Sequence, residues 1–159
     1  MKKQIVAEGI RAGAIGAGVV ALWFVLWDTV RGTPLSTPAL LGAALFDGVR
    51  DASAVHVTWR LVLGYSVIHC AAFSVFGLAA AGLLAAADRE PMLWAGLVLL
   101  FCCFEVFALA LIAVTAEWLF EALAWWSVVA GNVLSAGAML GFLLPRHRTA
   151  WREFFATSA

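Results

Sequence analysis

Within the run from Leu100 to Val114, LFCCFEVFALALIAV, one side chain carries a carboxyl group, Glu105. A charged side chain at the centre of a membrane helix costs about 2.5 to 3.5 kcal/mol, so it normally faces the bundle interior and finds a partner. The sequence offers such partners. His69 stands in another apolar run, with Tyr65 and Ser66 one helical turn before it on the same face, and Asn132 is followed one turn later by Ser135. Counting from the expected helix ends at about 1.5 Å per residue puts His69, Glu105 and Asn132 in a single layer. Such a layer could do three things. It could clamp helices together by hydrogen bonds, pass a proton between Glu105 and His69, or hold the polar head of a small amphiphile such as a quinone or lipid.

Other chemistries lack residues. A metal site would need Cys70 or Cys102 to join His69 and Glu105, and a site normally takes three or four ligands, so no metal is expected. His56 belongs to the outer interface and His147 to the opposite side of the membrane, so neither opposes His69 across a haem. Cys70, Cys102 and Cys103 all fall in apolar runs and read as packing residues. The chain has no Ser/His/Asp order, no glycine-rich phosphate loop and no HExxH. No catalytic residue and no cofactor is therefore expected, and an enzyme is the less favoured class. At the helix ends, Asp28, Arg31, Asp47, Arg50, Asp51, His56, Arg60, Glu117 and Glu121 form a mixed-charge outer rim. It reads as solvated ends with local pairs such as Arg31 with Asp28, or as an entry vestibule or docking surface.

The elements that must carry these residues follow from composition. The chain has 159 residues, of which 64% are hydrophobic and 13% charged, and its mean hydropathy is +0.97. These values belong to an integral membrane protein, and the formal net charge of +0 gives no basic excess for nucleic acid. Four apolar runs reach the roughly 20 residues that a crossing needs: Ala12 to Val30, Leu61 to Ala81, Met92 to Ala113 and Ala122 to Leu144. The expected fold is an all-α, four-helix transmembrane bundle in a single domain. Short turns make the second and third spans, and the third and fourth, antiparallel neighbours.

With both termini inside, Lys2, Lys3, Arg11, Arg89, Arg146, Arg148 and Arg152 lie on the inner side, against Arg31, Arg50 and Arg60 outside. That asymmetry favours cytoplasmic termini. The first connection, residues 31–60, is too long to be structureless. Its GTPLSTPALLGAALFDG supplies a short interfacial helix, capped at Ser36 or Thr37, with Pro38 in its first turn and Gly48 at its end. The tail after Leu144 spaces Trp151, Phe154 and Phe155 as a membrane-surface helix would. Small-residue rows, Gly9, Gly13, Ala17 and Ala21 in the first span and Gly137 and Gly141 in the fourth, allow close helix approach.

Trp27-Asp28, GTPLSTPALLG, a His in the second span, a Glu in the third and WWSVVAGN opening the fourth together resemble small four-helix integral membrane proteins of bacteria for which no activity is established. The resemblance covers most of the chain and implies a fold and a place in the bacterial inner membrane, without implying catalysis. The expected role is an accessory or scaffold subunit, with the lipid bilayer and a membrane-protein partner or second copy as its contacts. The alternatives are a small transporter or proton-conducting protein using His69 and Glu105, and a quinone- or lipid-binding protein.

Overall fold

The computed structural model describes residues 2–115 and 124–147. Five α-helices are found among them: α1 (Lys2–Val30), α2 (Ser36–Phe46), α3 (Trp59–Ala87), α4 (Trp94–Thr115) and α5 (Trp125–Leu143). Three helical stretches are long and apolar enough to cross a membrane, Lys2–Val30, Trp59–Ala87 and Trp125–Arg146, whereas the apolar stretch described in α4, Trp94–Val106, is shorter. The turn expected to hold Glu117 and Glu121, and the tail with Trp151, Phe154 and Phe155, lie outside the described residues.

α1 begins at Lys2, ten residues before the expected start of its span at Ala12. Its 29 residues reach about 43 Å at 1.5 Å each, well beyond the roughly 30 Å hydrocarbon layer. The added turns are packed, since Glu8, Gly9, Ala12, Gly13, Gly16, Ala17 and Val20 are all buried at helical spacing.

The short turns predicted that chain neighbours would be packing neighbours. The molecule instead places α1 at its centre, against α3 and α5, while α4 touches α3 and α5 only lightly. Glycine is the reason. A Cβ added to Gly9 would lie 2.7 Å from Leu78 Cα, and one added to Gly77 would lie 2.6 Å from Gly13 N, so backbone meets backbone where α1 crosses α3. On the α5 side, a Cβ on Gly131 would come within 2.9 Å of Trp23 Cδ1. The α5 row expected to mediate packing, Gly137 and Gly141, faces open space. The buried core follows this arrangement, with Ala12, Ala17, Val20 and Phe24 of α1 against Phe73, Phe76, Ala80 and Leu84 of α3 and Met139 and Leu143 of α5.

The long first connection does hold a helix, but its cap comes from elsewhere. Asp28, on the last turn of α1, accepts from the Thr37 backbone N–H and from Thr37 Oγ1, both at 2.7 Å. Asp28 is 1% exposed, so the solvated rim position expected for it is corrected. The first turn of a helix leaves backbone N–H groups unsatisfied and attracts negative charge, and here a remote carboxylate meets both needs. Gly48, at φ 61°, ends α2 as expected, with Asp47 N donating to Ala43 O at 3.0 Å. α2 lies on α3 through its small face, where a Cβ on Gly42 would come within 2.6 Å of Leu61 O. Leu45 is exposed, while the Phe46 ring, partly exposed, lies over Gly64 of α3, where an added Cβ would come within 2.8 Å of it. Arg60 reaches back from α3 to both oxygens of Asp47 at 2.6 Å.

Candidate functional site

The expected polar layer divides at Phe73. On one side, the His69 ring lies 5.8 Å from Tyr65 and 4.7 Å from Phe73, and Nε2 faces the Ala17 carbonyl of α1 at 3.3 Å. A carbonyl only accepts, so that contact makes Nε2 the protonated nitrogen. Ser66 Oγ donates to Val62 O of its own helix at 2.7 Å. His69 thus joins α3 to α1, with Tyr65 beside its ring and Ser66 bonded within α3, and no hydrogen bond joins His69 to Glu105 among the described residues.

On the other side of Phe73, α3, α4 and α5 enclose a cleft of about 350 Å³. Phe73, Phe76, Phe101 and Phe104 build its aromatic wall, with ring centroids 4.3 Å apart for Phe76 and Phe104 and 4.9 Å for Phe76 and Phe101. Glu105, Asn132 and Ser135 supply its polar groups. Asn132 hydrogen-bonds the Glu105 carboxyl, yet Glu105 Oε1 is buried with no hydrogen-bond partner among the described residues. Ser135 is buried, and its Oγ points at Met139 Sδ, 3.9 Å away. Of the six residues expected to form one cluster, the structure therefore gathers Glu105, Asn132 and Ser135 in one cleft and sets His69, Tyr65 and Ser66 apart.

A second polar cluster was not anticipated. His147, immediately after the helical turn that ends α5, is 7% exposed. Its Nδ1–H donates to Asp88 Oδ2 at 2.6 Å, and its Nε2 faces Glu8 Oε2 at 3.5 Å. Gln4 Nε2 donates to Glu8 Oε1 at 3.2 Å. This junction binds the start of α1, the end of α3 and the end of α5. A trace of it was visible in sequence, since Glu8 interrupts a helical face of small residues and Asp88 and His147 each sit just past an apolar run. Nothing in the spacing tied the three together.

The rest of the rim is ordinary. Arg31, Arg50, His56 and Arg60 are exposed. A cleft of about 500 Å³ opens between α2 and the following loop, but its charged lining residue, Arg31, is already engaged within the protein. Asp51 Oδ1 accepts from Ser53 Oγ at 2.8 Å and Ser53 N at 2.9 Å, and these bonds hold its carboxyl below the ordinary value. Among the described residues, no three His, Cys, Asp or Glu side chains are arranged to hold a metal ion.

The fold is that of a small all-α protein whose three long apolar helices suggest a multi-pass membrane protein, with a buried junction of His147, Glu8 and Asp88 at one end. Comparison with family models, with curated proteins and with solved structures returns no match, so the likeness to bacterial four-helix proteins gains no identified relative.

Proposed function

We propose that this protein binds a small amphiphile drawn from the bilayer, in the cleft between α3, α4 and α5. One observation carries the reading. Glu105 Oε1 is buried at the edge of an aromatic cleft without a hydrogen-bond partner among the described residues, although a buried polar group normally finds one. The cleft volume falls within the roughly 300 to 1,000 Å³ usual for small-molecule sites. Val106 and Val133, 67% and 63% exposed, flank it and would give a hydrocarbon chain a path to the lipid. In this reading α4 is a fourth crossing, both termini are cytoplasmic, as the distribution of Lys and Arg favours, and the membrane is the bacterial inner membrane that the resemblance implies. Native mass spectrometry of the chain isolated in lipid nanodiscs tests it. A bound small molecule is expected, absent from a Val133→Trp variant that fills the cleft. Bare protein in both samples overturns the reading.

A second reading, the accessory or scaffold subunit, is favoured by a different feature. Gly137 and Gly141 present a small-residue face with open space before it, which another helix, from a partner or a second copy, could approach closely. Gly137→Leu should then shift the mass of the solubilised complex, and an unchanged mass removes this reading. A proton relay from His69 to Glu105 has less support, because Phe73 stands between them and His69 is engaged with Ala17.

A further inference from the structure

We infer that the occupant of the cleft is a lipophilic cation, an amphiphile whose head carries an ammonium N–H. The inference rests on the amphiphile-binding reading above and names the chemistry of its ligand.

The polar groups of the cleft are unevenly matched. Glu105 can only accept when ionised, Asn132 is already committed to it, and the Ser135 hydroxyl points at Met139 Sδ. Oε1 is left as a free acceptor. Among the described residues no Lys, Arg or His lines the cleft, so none of them neutralises a carboxylate there. A quinone or an anionic head would bring more acceptors and leave Oε1 unanswered. An ammonium group brings the donor and the charge together, and charge-assisted bonds are the stronger kind.

The walls argue in the same direction. Phe76 stands between Phe101 and Phe104, with Phe73 edge-on to Phe104 at 5.7 Å, so the cleft is lined by π-systems whose faces attract cations. Oε1 is buried, and among the described residues no hydrogen bond retains it. A side-chain rotation of Glu105 would bring that oxygen out to an N–H offered from the cleft. Release of the cation would let the side chain return against Asn132.

The test uses the full chain in nanodiscs of zwitterionic lipid, with three probes of similar shape: 4-phenylbutylamine, 4-phenylbutanol and 4-phenylbutyrate. Binding is followed by calorimetry for the native chain, Glu105→Gln and Val133→Trp. The amine is expected to bind about tenfold more tightly than the alcohol, the acid least, and Glu105→Gln to bring amine and alcohol level. Val133→Trp should abolish all binding. If the alcohol binds as well as the amine and Glu105→Gln changes neither, the cation is wrong and the amphiphile reading survives. If no probe binds differently to the native chain and to Val133→Trp, both fall.

Discussion

Glu8 and Asp88 meet a histidine that faces both of them, while Glu105 meets one amide and leaves an oxygen unbonded. The two regions contain the same kind of acid in the same apolar chain, and their surroundings differ in how closely the three helices around each of them pack. At the junction α1, α3 and the end of α5 come together and set the imidazole between two acids, with one hydrogen bond to Asp88 and Glu8 3.5 Å from a buried Nε2 that makes none among the described residues. At the cleft α4 is only loosely held, so the carboxyl has space in place of a partner. A closed cluster holds helix ends together. An open one can receive something.

The largest expected effect comes from breaking the closed cluster. His147→Leu leaves Glu8 and Asp88 without their shared partner, and removing one member of a buried ion pair typically costs about 3 to 5 kcal/mol. The Asp88 side chain is 29% exposed and recovers some water, so a loss of about 2 to 3 kcal/mol is expected in denaturant titration of the solubilised protein. Combining His147→Leu with Glu8→Gln and Asp88→Asn should restore part of it, because no charge then stays buried alone. Native-like stability of His147→Leu by itself would remove the distinction between the two regions.

Asp28 comes next, as a carboxylate that closes a cluster by capping a helix. Asp28→Ala leaves the Thr37 N–H and hydroxyl without their acceptor inside the protein, at a cost of about 1 to 2 kcal/mol. The loss should be local, so hydrogen exchange should rise over Ser36–Phe46 and stay unchanged in α5. Uniform loss of protection across the helices would contradict a role confined to α2.

Glu105 should matter less. Glu105→Leu gives up one hydrogen bond, to the half-buried Asn132, and none at Oε1, so a loss of about 1 kcal/mol is expected. The sequence argued for a larger loss here, because it placed His69 and Asn132 both on Glu105. The helices themselves were legible, and so were the extra helix in the first connection and its glycine stop at Gly48. What could not be read was azimuth. Turning α3 so that His69 faces Ala17 depends on Gly9, Gly13 and Gly77 drawing α1 against α3, and short turns had suggested the other neighbours. The His147 junction was hidden for a similar reason, since its members lie far apart in the chain and only the central position of α1 brings them together.

The smallest effect concerns a carboxylate whose hydrogen bonds are satisfied entirely in water. Asp51 is exposed and accepts twice from Ser53, side chain first and backbone second, which lowers its folded-state pKa below the ordinary 3.8. Because the folded value is depressed, the contribution to stability is fully present above the unfolded value and is lost as pH falls through the folded one. The affected window is therefore acidic, below about pH 4, and should be invisible at neutral pH. Ser53→Ala removes the larger of the two causes and should move the Asp51 titration, followed by carboxyl carbon NMR, back toward its ordinary value. The loop is solvated, so melting at pH 7 should not change. A Ser53→Ala variant that titrates like the native chain would mean that the backbone N–H alone sets the shift. A marked loss of stability at neutral pH would place Asp51 with the closed clusters.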